Sequence, residues 1–346
     1  MIKQLMMNKY FFFTLVLSLL VINFGFAQDE ESEVTEGWTA GAGLGADFSQ
    51  LLQINPRQGA GQNRIGFGGA VNAFGKYRKG RLAWDNLATW QFGIQRLGSG
   101  VIAQGAEESR IPFQKAIDDL RLNSKIGYQT SPESKFFYAA DLFFLSQFTP
   151  TYQGSDEYPG NFLSDVSGQG NLLSQFFNPA TMNLSVGIDY KPNDNFSIYY
   201  SPLGSKFIFV PDDFIASLGV HGNPVEGDPD PETGRYDVFE NTFSALGQSL
   251  RANYSNKFLD ERGAFTSSIL LFSNYLENPQ NIDVDWNNEL AFTIFKGLQL
   301  SATVNVFYDD DVRVQITDWD EPNGISGLGK RVSITQQLLL KYNVTF

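Results

Sequence analysis

The 346-residue chain contains no cysteine and a single histidine. Without cysteine there is no disulfide, no thiol nucleophile and no thiolate metal site, and one imidazole cannot build a histidine-rich metal centre. Beyond Gln28 the sequence also lacks any long uninterrupted apolar run, so that stretch offers no helix of the roughly 17–25 residues needed to cross a membrane. Basic residues are scarce: 25 Lys plus Arg stand against 38 Asp plus Glu, a formal net charge of −13. Such a balance argues against nucleic acid or an anionic lipid surface as a partner.

What is present begins with an export signal. Lys3 and Lys9 flank the start of an apolar run from Tyr10 to Phe26, which ends in Gly25-Phe26-Ala27. That is the pattern of a secretory signal peptide cleaved after Ala27; an uncleaved anchor is the alternative, because the run sits near the lower length limit for a spanning helix. Residues 28–36 then form a short N-terminal segment, and 37–346 a single domain. The chain is rich in aromatic residues (14%) and glycine (33), yet its mean hydropathy is only −0.20. Strands with one face in lipid and one in water produce this mixture.

Period-two alternation is the main signal. In Arg331 to Phe346, Val332, Ile334, Leu338, Leu340, Tyr342, Val344 and Phe346 share one face, and Ser333, Thr335, Gln337, Lys341, Asn343 and Thr345 the other; only Gln336 and Leu339 break the pattern. Eleven further runs resemble it, at 37–49, 64–77, 82–95, 117–129, 135–148, 182–190, 195–209, 242–255, 264–275, 282–294 and 298–308. Most exceed the five or six residues of a globular strand and reach the roughly 9–11 that cross a bilayer. Connections alternate between tight joins, such as Lys79-Gly80 and Lys296-Gly297, and long stretches such as 150–179 and 210–241; only Glu277-Asn278-Pro279-Gln280 is short where a long one is due. The expected fold is all-β, a transmembrane antiparallel up-and-down barrel of about 12 strands, with both termini in the periplasm. Closure follows from the cost of unpaired backbone groups in lipid, several kcal/mol each, and predicts that the first strand near Trp38 pairs with the last near Phe346.

Cost also assigns the faces, since Lys or Arg on the lipid side at midplane loses roughly 2–4 kcal/mol. Asp47, Lys76, Asp85, Arg121, Lys125, Asp141, Asp189, Arg251, Asp285, Glu289 and Lys341 are therefore expected to line the lumen. Aromatic residues near strand ends, among them Trp38, Tyr77, Trp84, Tyr128, Tyr190, Tyr254, Tyr275, Trp286 and Tyr342, fit interfacial girdles. The last strand, with Tyr342, Val344 and terminal Phe346, resembles the signal recognised by the barrel assembly machinery of the outer membrane.

Three stretches carry a family resemblance: Gly37-Trp38-Thr39-Ala40-Gly41, the run from Gly187 to Ser197, and the run from Phe272 to Trp286, which includes Asn278-Pro279-Gln280. With Tyr308-Asp309-Asp310-Asp311 they resemble an outer-membrane β-barrel family of Bacteroidota known only as a domain of unknown function. The resemblance implies the fold and the compartment, the cell outer membrane; it implies no catalytic residue.

Candidate chemistry is thin. His221 sits in Gly219-Val220-His221-Gly222-Asn223-Pro224, a flexible setting that does not hold a base against a nucleophile, so the expectation is no enzyme and no cofactor. Among the acidic loops, Asp309, Asp310 and Asp311 at a strand end are the better candidates for a cation; a solvated acidic rim is the plainer reading. The connection 150–179 carries Phe162, Leu163, Leu172, Leu173, Phe176 and Phe177, too apolar to float in water. It is expected to plug the mouth, cover the rim or dock on another outer-membrane protein, as is 210–241 in the last case. Three function classes follow: a narrow pore for small polar solutes or cations, an accessory or scaffold subunit of a larger outer-membrane complex, and, remotely, a barrel hydrolase.

Overall fold

The computed structural model describes residues 36–55, 64–95, 114–154, 161–310, 314–318, 320 and 325–345. The expected signal peptide (1–27), most of the 28–36 segment and Phe346 lie outside the described residues, as does Asp311.

Twelve long strands form one sheet: β1 Gly37–Ile54, β2 Arg64–Lys79, β3 Leu82–Gln95, β4 Gln114–Gln129, β5 Phe136–Ser146, β6 Ala180–Asn193, β7 Phe196–Phe209, β8 Thr242–Phe258, β9 Gly263–Asn274, β10 Asp283–Phe295, β11 Leu298–Tyr308 and β12 Ser333–Thr345. Each pairs antiparallel with its neighbours in sequence, and β1 pairs with β12, so the sheet closes with no free edge. Closure pairs neighbouring strands all the way round the wall, the condition for a sheet in hydrocarbon.

The seam differs from the sequence expectation in one respect. Thr345 opposes Gly43, and Ile334 opposes Ile54, so the last strand sits beside the middle and far end of β1. Trp38 instead opposes Tyr77 on β2. A barrel closes only if its strands tilt and the register shears around the circumference; a periodicity argument carries no information on that offset.

Register fixes which side chains share a face. Leu44, Phe67, Val186, Ile188 and Leu300 are exposed on the outside, while Tyr199, Asp141 and Asp189 are buried within. This is the reverse of a water-soluble protein and suits a wall that meets hydrocarbon. The two breaks in the β12 pattern fall as the register demands, Leu339 buried inside opposite Ser301, and Gln336 on the outward face. In β7 the register shifts between Ser201 and Gly204, placing Pro202 in a bulge where no ladder N–H is required. The facing residue of β6 has to be glycine: a Cβ on Gly187 would lie 2.1 Å from the Tyr200 carbonyl oxygen.

Aromatic rings mark two levels of the outer wall. At the rim of tight turns, Trp38 lies between Tyr77 and Trp84, with centroids 5.2 and 5.5 Å away, and Phe136 meets Tyr190 at 4.7 Å. At the rim of long connections, Phe92, Trp90, Phe148, Phe176, Phe177 and Phe209 succeed one another at 5.1–6.3 Å. This second belt is missing from the sequence expectation because it is mostly phenylalanine and because Phe176 and Phe177 belong to a connection, as does Phe148, which the expected run 135–148 placed in a strand that ends at Ser146.

Candidate functional site in the lumen and its cap

Inward-facing side chains divide the lumen into a filled half and an open half. The filled half is held by charge. Arg251 of β8 reaches Asp141 of β5 at 2.8 Å, across two intervening strands, and Lys125 of β4 reaches Asp189 of β6 at 2.6 Å, with Lys191 at 3.5 Å from the same carboxylate oxygen. Lys125 also lies 4.6 Å over the ring of Tyr199, whose hydroxyl meets Ser185 Oγ at 3.1 Å. Tyr199 and Asp189 are each 1% exposed, so side chains fill this side of the barrel at their level. Pairing of this kind is what permits buried charges at all, and removing one partner costs about 3–5 kcal/mol in a dry interior.

The remaining lumen-lining candidates lie elsewhere on the strands of the barrel. Asp85 bonds Arg78 at 2.6 Å, Arg121 bonds Asp119 at 2.9 Å, and Glu289 accepts from Lys341 at 2.6 Å. Asp285 accepts from Asn287 at 2.6 Å, and Lys76 opposes Asp85 and Thr39 in register. Asp47 opposes Lys341, with its side chain outside the described set. Of the assembly-signal candidates, Tyr342 is exposed on the outer wall opposite Leu298, and Val344 opposes Leu44.

The open half is a cavity of about 910 Å³ enclosed by β1–β4 on one side and β8–β12 on the other. Carboxamides and hydroxyls stand on its wall beside glycine and apolar residues: Gln91, Asn123, Asn253, Asn287, Gln299, Thr303, Asn305 and Gln337 all contribute. Among the described residues, Arg121, Glu289 and Lys341 bring charge to the wall, the last two bonded to each other. Phe74 of β2 lines the same space, opposite Leu87 of β3 in register.

Two long connections fold into a cap over one side of the mouth. Val210, Ile215 and Ala216 of 210–241 pack on Ile208, whose side chain faces the lumen, together with Leu172, Phe239 and Phe243. Ile215 and Ala216 lie in one helical turn, Asp213–Ala216, capped by the Asp212 carboxylate, which accepts from Ile215 N. Gly222 closes over Ile208 with φ +86, and a Cβ there would sit 3.0 Å from Ile208 Cδ1. The connection 147–179 supplies the rest. Thr151–Gln153 pairs with Asn161–Phe162 and with Leu172–Ser174, and Phe162 pairs with Gln114 of β4, extending the wall above the rim. Of its apolar residues, Phe162 is fully buried, and Phe176 and Phe177 stand in the aromatic belt.

Asp118 anchors this connection and carried no flag in the sequence reading. Its carboxylate accepts from Lys115 Nζ at 2.7 Å, Trp90 Nε1 at 3.0 Å, Phe148 N at 3.1 Å, and Thr149 N and Oγ1 at 2.7 and 2.6 Å. A signal did exist. Alternation puts Asp118 on the outward face with Leu120 and Leu122, where an ionised group is tolerated only if it is enclosed and bonded.

His221 locks the two parts of the cap together, its Nε2 lying 2.7 Å from the carbonyl oxygen of Leu173. The ring therefore serves as a loop-to-loop tie. Burial holds its pKa below the ordinary value. An opened loop binds a proton more readily than the closed one, so the tie contributes fully above about pH 6.5 and weakens as pH falls through the lowered folded value. Limited proteolysis of the cap is expected to accelerate between pH 7.5 and pH 5, and in His221→Gln, which keeps a donor without the charge, that acceleration should vanish. An unchanged pH response in the variant would assign the effect to other groups.

Asp309 and Asp310 point to different partners. Asp309 lies 3.4 Å from Lys206 Nζ, while Asp310 accepts from Lys330 at 3.0 Å and Asn281 at 2.7 Å. Among the described residues no group of three or more His, Asp or Glu side chains is placed to hold a metal ion.

In backbone trace the chain is similar to an outer-membrane channel from Pseudomonas putida F1 (11% identity, covering 92% of this chain and 100% of that one, TM-score 0.39). It is similar too to outer-membrane phospholipase A from Escherichia coli (10%, 91% and 94%, TM-score 0.38) and to the P. putida toluene transporter TodX (11%, 90% and 91%, TM-score 0.31). A channel, an enzyme and a transporter share that likeness, so it separates no activity from another. No curated protein matches the chain. Over residues 49–152, from the end of β1 to the root of the cap, the chain is similar to the family described as a protein of unknown function (DUF3078).

Proposed function

We propose that the protein resides in the outer membrane and that the open half of its lumen is a narrow passage for small polar solutes. The observation that carries this reading is the 910 Å³ cavity with a polar wall beside a half sealed by ion pairs. Twelve strands lie between the eight whose interior side chains can fill and the sixteen or more that leave an open channel, and here part of the bore is filled and part is not. Tight turns on one rim and long connections on the other support a periplasmic position for the termini. The segment 210–241 bears eight Asp or Glu residues against one basic residue, Arg235, so the mouth attracts cations and repels anions.

Single-channel recording in planar bilayers tests the passage. The expected result is a small, cation-favouring conductance that Asn305→Trp, which places a bulky ring in the cavity, reduces severalfold. A folded, membrane-inserted protein with no conductance would overturn the reading. The accessory-subunit alternative draws on apolar side chains in 147–179, and these are engaged within the cap and belt; His221, the basis of a hydrolase alternative, is engaged by Leu173.

A further inference from the structure

The cavity wall carries more hydrogen-bonding capacity than the protein uses. Gln91, Asn123, Gln299, Asn305 and Gln337 line it from four strands on its two sides, and their side chains make no hydrogen bond to the described protein. Each carboxamide offers a carbonyl acceptor and an N–H donor pair. In the filled half, by contrast, the inward charges are paired with one another.

The chemistry of this surface selects among solutes. A carboxylate or ammonium ion gains less from it, because Glu289 and Lys341 neutralise each other, Arg121 is bonded to Asp119, and the ammonium of Lys76 sits 5.8 Å over one side of the Phe74 ring. A hydroxyl group both donates and accepts, as a carboxamide does, so a molecule with many hydroxyls can exchange each lost water for a wall amide. An unsatisfied hydroxyl in a confined site loses about 1–3 kcal/mol, which penalises polar solutes that cannot match the pattern. Apolar side chains interrupt the belt, Leu87 and Leu339 among them, together with the half-exposed ring of Phe74, which faces the same space. Polar edges around an apolar face are the signature of a sugar ring, whose hydroxyls project outward and whose C–H groups gather on one side. A cavity of 910 Å³ lies within the 300–1,000 Å³ range of ordinary ligand sites.

Resting on the pore reading above, we infer that the open half of the lumen is a binding site for a neutral saccharide of a few units, held by the amide belt with one ring face on Phe74. The acidic mouth and the neutral bore then act in series: the first repels anions, the second favours uncharged polyols over the cations gathered outside.

The test uses the full mature chain purified in detergent, with maltotriose, cellotriose and xylotriose as probes and lysine and glutamate as charged controls. Isothermal titration is expected to show binding of at least one trisaccharide and of neither control. Asn305→Leu combined with Gln337→Leu should weaken that binding about tenfold or more, the loss of one to two well-made hydrogen bonds, and Phe74→Ala should weaken it independently. Gln337→Glu, which keeps size and an acceptor, guards against a folding defect and is expected to fall between. Failure of all three trisaccharides to bind, or binding unchanged in the double leucine variant, overturns the inference. Titration reads the site without requiring transport, so saccharide binding in a chain that shows no conductance would remove the pore and leave the site standing. Conductance without binding would do the reverse.

Discussion

Leu122→Arg is expected to destabilise the barrel by about 2–4 kcal/mol, whereas Asn123→Arg, one residue along the same strand, should change it by less than about 1 kcal/mol. The pair isolates the one property that differs, the face. Leu122 is exposed on the outer wall of β4 between Ala88 and Phe144, and the neighbouring strand brackets it with the rings of Trp84 and Trp90. Those two rings define the levels at which an aromatic side chain meets both hydrocarbon and water, so position 122 lies in the hydrocarbon between them. A guanidinium there must thin the bilayer locally or stretch its stem toward an interface. At 123 the same group enters a cavity whose wall already carries Arg121. Urea unfolding in lipid vesicles, followed by tryptophan fluorescence, measures both. Equal losses for the two variants would overturn the assignment of inside and outside on which every statement about the lumen depends.

Removing the cap gives the second large effect. Excision of residues 212–240, with Pro211 joined to Asn241 through a short turn, is expected to raise single-channel conductance severalfold and to reduce its preference for cations. The apolar packing of Ile215 and Ala216 on Ile208 and Phe243 would be gone, and with it most of the acidic side chains over the mouth. The barrel itself should survive, because its strand pairs are made without the segment. Planar-bilayer recording at two salt concentrations reads both quantities. Unaltered conductance would mean that the constriction lies deeper, within the open half of the lumen.

Much of this architecture was legible in the sequence because it is local. Alternation is a property of neighbouring residues, and the price of a charge in lipid sorts faces strand by strand; hence Lys125, Asp141, Asp189, Arg251, Glu289 and Lys341 could be placed inward without coordinates. Their partners could not. Arg251 and Asp141 stand 110 positions apart, and nothing in either strand's pattern indicates which inward acid meets which inward base. The same limit hid the division of the lumen, since the filled and open halves have similar alternation and differ in which side chains are long enough to meet across the bore. In the connections, irregular backbone replaced periodicity, and the roles of Asp118 and His221 followed only from contacts between remote segments. The seam offset of β1 against β12 belongs to the circumference as a whole, and no single strand encodes it.

The two walls also make unequal demands on the chain while it is still unfolded. Strands β4 to β8, cross-tied by Lys125, Asp189, Asp141 and Arg251, are consecutive, and each hairpin among them can be joined at small entropic cost. The seam brings Gly43 to Thr345, near opposite limits of the described chain, and gains nothing until everything between is in place. A curved ribbon stiffened along its middle, with two soft margins left to find each other last, is therefore the natural precursor of this barrel.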